Sequence, residues 1–212
     1  MNIVLFGPPG VGKGTQGARL ARETGIEHLA MGDILRAAVR EGTEAGRKAR
    51  EYMDAGNLVP DDVVVEMIED RILRDGANGF LLDGFPRNVA QAEALDAMLA
   101  RHGLKLDRVV FMDAPEAELI ERLAGRLVCR ACGLSFHRHY SPPREEGVCD
   151  ACGGELYQRE DDREAVIAQR LAVYREQTAP LLEFYRNKPG FVRLDAAGEM
   201  DEVYAALREA VR

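Results

Sequence analysis

The run Gly7-Pro8-Pro9-Gly10-Val11-Gly12-Lys13-Gly14-Thr15 places glycines, a lysine and a hydroxyl at spacings that suit phosphate chemistry. Glycines so arranged let successive backbone N–H groups curl inward, where they can surround the oxygens of a phosphate chain. Lys13 can reach between two phosphates as a mobile charge. Thr15 is the one hydroxyl near enough to meet a phosphate-bound Mg2+. Gly14 stands between the lysine and Thr15, whereas in the commonest form of such a loop the hydroxyl follows the lysine directly. The plain alternative is an ordinary glycine-rich turn, and the lysine and threonine at these places argue against it. The chemistry implied is the binding of a nucleoside triphosphate or a close relative.

Two further constellations carry chemistry. Asp83-Gly84-Phe85-Pro86-Arg87 follows an apolar run, and ligands of open α/β sheets bind beyond the carboxyl ends of strands. Asp83 is therefore placed to hold a water on Mg2+, with a simple turn cap as the alternative, and Arg87 to grip phosphate. Cys129-x-x-Cys132 and Cys149-x-x-Cys152, sixteen residues apart, have zinc-ribbon spacing. Each pair encloses a short turn followed by Gly133 or Gly153. Four thiolates suit a tetrahedral, closed, structural Zn2+ site; two disulfides are the rival reading. His137 and His139 could substitute as ligands, and the sequence reads more simply with both on the surface of a hairpin. Arg36, Arg122, Arg126, Arg159 and Arg170 recur around the other strand ends and the cysteine segment. One by one they read as solvated surface residues. As a set they supply the positive charge that a phosphoryl group in transfer needs.

Elements of known kind must position these groups. Ile3-Val4-Leu5-Phe6 predicts a strand before the glycine loop, and Gln16 to Glu23 a helix after it, stopped by Gly25. Glu27 to Ala30 predicts a second strand. Asp33 to Arg40 predicts a helix with Asp33 near its cap, and Glu44 to Ala55 another. Further helices are expected from Pro60, from Asn88 to Arg101, from Glu116 to about Gly125, over Arg163 to Tyr185 with a break near Pro180, and from Met200 to Val211. Phe80-Leu81-Leu82, Val109 to Met112 and Phe191 to Leu194 complete five strands. Their alternation with helices implies a doubly wound α/β fold, a parallel sheet covered on both faces. Residues 126–160 break that rhythm: they are turn-rich and carry every cysteine.

Composition narrows the classes. The chain has 212 residues, 46% hydrophobic and 30% charged, with net charge -8. Mean hydropathy is -0.25 and the isoelectric point about 5.2. An acidic chain is a poor nucleic-acid binder. No apolar run approaches the roughly 18 residues of a membrane span, and Phe6 ends the first apolar run too soon for a signal peptide. A cytoplasmic location is the expectation. Arginine outnumbers lysine heavily, which fits either bidentate phosphate binding or biased base composition.

These motifs resemble those of the adenylate kinases, in the long form with a cysteine-bearing lid, and the likeness runs over essentially the whole chain. It rests on GPPGVGKGT, GDILRAAV, DGFPR with Gln91 after it, the Arg122/Arg126 pair, the paired cysteine motifs, and Arg159-Glu160-Asp161-Asp162 with Arg170. The resemblance implies a P-loop core of residues 1–29, 60–125 and 163–212, a monophosphate-binding insertion at 30–59 and a zinc-binding lid at 126–162. It implies that Gly10, Val11, Gly12, Lys13, Gly14 and Thr15 cradle the ATP phosphates. Arg122 and Arg126, Ser135-Phe136 and the backbone at Gly198 would complete the ATP site. Met31, Arg36, Asn57, Leu58, Val59, Gly84, Phe85, Pro86, Arg87 and Gln91 would line the AMP site, with Gln91 reading adenine and Arg159 and Arg170 joining from the lid side. Lys13, Arg87, Arg122, Arg126, Arg159 and Arg170 would be the catalytic charges. Mg2+ with ATP and a structural Zn2+ are the implied cofactors; ATP, AMP and ADP are the implied partners of a monomer serving adenine-nucleotide homeostasis and nucleotide biosynthesis. A cis bond before Pro86 is implied as well. One residue departs from the family pattern: Met31 stands where members commonly carry Thr, which bears on monophosphate affinity and selectivity. A kinase for another nucleoside monophosphate remains an alternative, as does a nucleotide-gated binding protein docking through its zinc lobe.

Overall fold

A computed structural model describes all 212 residues. Strand β1 (Asn2–Phe6) leads through the glycine loop into helix α1 (Lys13–Thr24), which Gly25 ends in a left-handed conformation. Strand β2 (Glu27–Ala30) runs straight into α2 (Met31–Glu41), and α3 (Glu44–Asp54) follows with the Thr43 hydroxyl capping it. After these come α4 (Asp61–Asp75), β3 (Phe80–Asp83), α5 (Val89–Arg101), β4 (Arg108–Asp113) and α6 (Glu116–Ala124). The cysteine segment contains β5 (Arg126–Cys129), β6 (Ser135–His137) and β7 (Leu156–Tyr157). The chain closes with α7 (Glu164–Val173), α8 (Leu181–Tyr185), β8 (Phe191–Asp195) and α9 (Met200–Ala210).

The five long strands form one parallel sheet in the order β2-β3-β1-β4-β8. Alternation along β1 sends its side chains to opposite faces. Val4 and Phe6 join Phe80, Leu82, Val109 and Phe111 in a core of 21 buried residues under α4 and α5. Ile3 and Leu5 join Leu81, Val110 and Met112 in a second core of 19 under α1, α6, α7 and α9. Both faces being covered explains why these strands read as continuous apolar runs. The sheet changes winding direction at β1, so the loop after β1 opens into the crevice where such sheets bind ligands.

The lid differs from its turn-rich reading. Its backbone closes a three-stranded antiparallel sheet, β6-β5-β7, over a cluster of only Cys129, Phe136, Cys149 and Leu156. Helix α2 also starts two residues before the predicted Asp33. Met31 is 2% exposed, and burying it draws the first turn inward, so Asp33 caps nothing and bonds Arg36 instead. The break between α7 and α8 comes earlier than Pro180: Tyr174–Thr178 is a π-helical turn, closed by Ala179 N–H donating to Tyr174 O at 2.8 Å.

Candidate active site

The glycine loop is fixed by close approach on its outer side. A side chain at Gly10, whose φ is 86°, would lie 2.7 Å from Leu119 O and 2.9 Å from Leu123 Cγ of α6. The loop thus packs on α6 while its inner side stays open to the cleft. Helix α1 begins at Lys13, so Thr15 stands in its first turn, where free N–H groups and the helix dipole favour an anion. Lys13 Nζ donates to Gly7 O at 2.8 Å and Pro8 O at 2.9 Å, folded back over its own loop. Burial pushes this ammonium down to about 8, with Asp83 pulling it partly back up. A site that destabilises its cation in this way favours an arriving anion.

Asp83 ends β3 beside the loop; a side chain on Gly14 would come within 3.4 Å of its Oδ2. Burial works against the Asp83 carboxylate, but the His28 ring at 3.6 Å, the Lys13 charge and Arg87 outweigh it and hold the group below the usual carboxylate range. An ionised carboxylate and the Thr15 hydroxyl around a gap kept open by a glycine fit the ligand preferences of Mg2+.

Arginines converge from the opposite side. Arg87, on the loop after β3, donates through Nε to Gly84 O at 2.8 Å, and the peptide before Pro86 is cis. Burial pushes Arg87 down to about 10, and the neighbouring Arg170 adds to the shift. Burial also brings Arg159 to about 10, with Arg126 and Arg36 contributing. Arg159 Nε is buried without a partner, a donor that a phosphate oxygen would satisfy. Arg126 and Arg170 are held differently. Asp162, with no side-chain exposure, accepts from Arg126 Nε at 2.8 Å, from an Arg126 terminal nitrogen at 2.6 Å and from Arg170 at 2.9 Å. Burial would lower Arg126, yet Asp162 keeps it above its ordinary value. The cleft is thus lined by two guanidiniums, Arg87 and Arg159, that burial and neighbouring arginines disfavour, beside two that Asp162 holds in place, a surface suited to polyphosphate.

Two lobes roof this surface. The α2–α3 pair and the lid segment meet where Arg159 reaches Asp33 at 3.5 Å, and α7 of the core holds the end of the first lobe where Gln169 Nε2 donates to Asn57 Oδ1 at 3.0 Å. A single cavity of about 1660 Å³ runs beneath them. It is bordered by every residue predicted for the two nucleotides: the loop from Gly10 to Thr15, Met31, Arg36, Asn57 to Val59, Asp83 to Arg87, Gln91, Arg122, Arg126, Ser135, Phe136, Arg159, Arg170 and Gly198. Gln91 is more engaged than its sequence suggests. Its Oε1 accepts from Arg87 N–H at 2.7 Å and its Nε2 donates to Asp61 at 2.7 Å, leaving one N–H and one lone pair for a base.

The four cysteine sulfurs all lie within 4.8 Å of one another, with Cys129–Cys152 at 3.5 Å and Cys132–Cys149 at 3.6 Å. Ligand sulfurs around tetrahedral zinc stand about 3.8 Å apart, so the donor set fits that ion. His137 is no ligand and no surface residue. It is 8% exposed, with Nε2 against Glu121 O at 3.2 Å and Nδ1 accepting the N–H groups of His139 and Tyr140. The ring fits because Gly125 has no side chain: a Cβ there would lie 2.3 Å from Nε2. Sequence reasoning also passed over His28 and Gln16, both packed at the cleft. Neither belongs to a spaced motif of its own, so only the fold brings them forward.

Compared with known proteins, residues 5–189 match the family described as adenylate kinase. A Streptomyces griseus protein described as adenylate kinase is 54% identical, covering 100% of this chain and 98% of its own length. Proteins of the same description from Carboxydothermus hydrogenoformans and Methanocella arvoryzae are each 51% identical over 100% of this chain and 100% and 99% of theirs.

Proposed function

The chain belongs to the adenylate kinase family, and from that premise we propose how its cleft performs the reaction. The activity is reversible transfer of the ATP γ-phosphoryl group to AMP, giving two ADP. The observation that carries the residue assignment is the single cavity bordered by both predicted sites, with the phosphate loop at one wall and the arginines at the other. On this reading Gly10 to Thr15 take the ATP phosphates through backbone N–H groups, and Lys13 leaves its loop carbonyls to neutralise the reacting phosphates. Arg122, Ser135-Phe136 and the Gly198 backbone hold the adenosine end. Arg36 and Arg87 anchor the AMP phosphate, Gln91 with Asn57 to Val59 hold its base, and Met31 forms part of that wall.

An AMP phosphate oxygen attacks in line, and Lys13, Arg87, Arg126, Arg159 and Arg170 stabilise the charge that spreads over the transferred group. No covalent enzyme intermediate is needed. Thr15 directly, and Asp83 through water, would hold Mg2+, which when bound neutralises phosphate oxygens. The two roofing lobes, 30–59 and 126–162, exclude water, which would otherwise accept the phosphoryl group. Cys129, Cys132, Cys149 and Cys152 would hold structural Zn2+. A cytoplasmic monomer without nucleic-acid or membrane partners completes the reading; no helix is long and apolar enough to cross a membrane.

A coupled assay with ATP and AMP tests it, followed by each other monophosphate in turn. Equal or better transfer to another monophosphate would move the assignment at Met31 and Gln91. No transfer to any acceptor would sink it.

A further inference from the structure

Gln16 follows the phosphate loop directly and is only 3% exposed. Its Nε2 donates to Met200 O, the first residue of α9, at 2.9 Å. A carbonyl only accepts, so the amide nitrogen must face it, and the amide orientation is thereby fixed. Oε1 is left buried with no donor in the protein. Gln16 and Met200 both border the main cavity, beside Ala196, Gly198 and Glu199.

The same segment is held from a second side. Arg122 of α6 donates to Ala196 O at 3.0 Å and Gly198 O at 3.3 Å. Segment 196–200 therefore hangs between Arg122 and Gln16. The remaining polar contacts between α1 and α9 lie further out and more exposed: Arg19 with Asp201, and Glu23 with Tyr204 and Arg208. Those pairs hold the helices together. Arg19 and Asp201 border the cavity too, but through exposed side chains; Gln16, next to Thr15, is the buried member of that face and the one that grips the backbone of the 196–200 segment.

We propose that Gln16 is a positioning residue that sets segment 196–200 against the phosphate loop, and so governs affinity and base selectivity for the triphosphate. This rests on the assignment of ATP to that loop. A triphosphate bridges both features, so their separation must match its length. An AMP molecule on the other wall touches neither. Oε1 is closed to the ligand, so base selectivity would follow from where the side chain holds the 196–200 backbone that borders the cavity.

The test compares wild type with Gln16→Leu, Gln16→Glu and, as a control for helix packing alone, Glu23→Ala. Losing one buried hydrogen bond corresponds to a rise in KM for ATP of about tenfold in Gln16→Leu. KM for AMP should stay within about twofold, since this contact is remote from the monophosphate wall. The preference for ATP over GTP should narrow. Gln16→Glu sets a carboxylate against the Met200 carbonyl. Its KM for ATP should exceed that of Gln16→Leu near neutral pH and recover toward about pH 5.5, as the carboxylate takes up a proton. Glu23→Ala should lower the thermal midpoint and leave KM for ATP unchanged. Unchanged KM for ATP in a folded Gln16→Leu protein would overturn the proposal, as would an equal rise for AMP. Failure of wild type to transfer phosphoryl would overturn the kinase reading instead. The ATP-induced rise in thermal midpoint would then still decide the role of Gln16: a smaller rise in Gln16→Leu supports it, and an equal one removes it.

Discussion

The phosphate loop hangs from strands whose two faces are covered by cores of 21 and 19 buried residues, while the lid across the cleft has a cluster of four, two of them cysteines. On the loop side, apolar burial holds the backbone and leaves the polar groups free to serve the ligand. On the lid side there is too little apolar surface for a segment of that size to order itself. Its sulfurs, drawn within 4.8 Å of one another, stand where a core would be. The same cleft thus has one wall held by apolar burial and one whose stability would rest on an ion between its four thiolates.

Replacing Lys13 by Met tests the first half of that contrast and has the largest expected effect. A preorganised cation on the reacting phosphates contributes about 10^3-fold to the rate, so kcat/KM should fall by roughly that factor. The thermal midpoint should hold or rise slightly, because the site already holds this ammonium at a disadvantage, at about 8. A midpoint that collapsed with activity would show that the loop wall does depend on its charge.

The lid should answer in the reverse sense. Cys129→Ser, or removal of metal by a chelator, should cost about 4 kcal/mol of lid stability, a fraction of the roughly 10–16 kcal/mol that structural zinc brings to small zinc-binding peptides. In a chain of this length that is roughly 12 °C of thermal midpoint if the lid unfolds with the rest. The rate at low temperature should fall much less. Equal losses of rate and stability would break the comparison, because the ion would then be serving the reaction itself.

That division also explains what the sequence disclosed. The glycine loop, Asp83 to Arg87 and the cysteine pairs were legible because their chemistry demands particular residue types at particular spacings along a short stretch. The sheet was legible because double-sided burial makes plain apolar runs. What stayed hidden is what depends on a meeting of distant segments. Nothing near His137 in sequence foretells that the bare backbone of Gly125 makes room for its ring. Nothing near Asp33 foretells that burial of Met31 starts α2 early and frees that carboxylate for Arg36 and Arg159. Asp162 belonged to a recognisable run, yet its junction role shows only when Arg126 and Arg170 are seen closing on it.

That junction, where lid meets core, supplies the next test. Asp162→Asn keeps the shape and removes the charge, leaving two largely buried guanidiniums facing each other. Breaking such a pair costs about 3 kcal/mol, or roughly 9 °C in a chain of this size. Thermal midpoints with and without nucleotides would read it. Bound phosphates bring replacement negative charge, so the deficit should shrink in their presence. A deficit unchanged by nucleotide would place this carboxylate with the structural half of the molecule.

A pH series sharpens the loop side further. Lys13 titrates near 8 in the folded chain against 10.5 for an ordinary lysine. Between those values the unfolded chain holds a proton that the folded site has released, so this group's contribution to stability rises with pH across that window and is a penalty below it. Phosphate binding needs the charged form. ATP affinity should therefore fall above about pH 8, by up to about tenfold per pH unit, with a proton taken up on binding. Calorimetry in buffers of different ionisation enthalpy would detect that proton. Flat affinity from about pH 7 to 9.5 would contradict the buried lysine.

The smallest expected effect lies in the core itself. Tyr185 is fully buried among Phe6, Phe111 and Phe184, and its hydroxyl has no hydrogen-bond partner. Burial also drives its phenol well above the usual range, so the group stays neutral and its O–H remains a buried donor with nothing to accept it. Removing an unsatisfied hydroxyl while keeping the ring should gain about 1 kcal/mol, less whatever packing the oxygen provides. Tyr185→Phe should therefore raise the thermal midpoint by roughly 3 °C and leave kcat and both KM values unchanged. A core of this size carries such a defect without loss of fold. The lid has no comparable surplus, so an unsatisfied polar atom placed beside Phe136 or Leu156 should unfold it. A fall in stability on Tyr185→Phe would mean that the hydroxyl is satisfied after all, and the core would then have less surplus than the contrast with the lid requires.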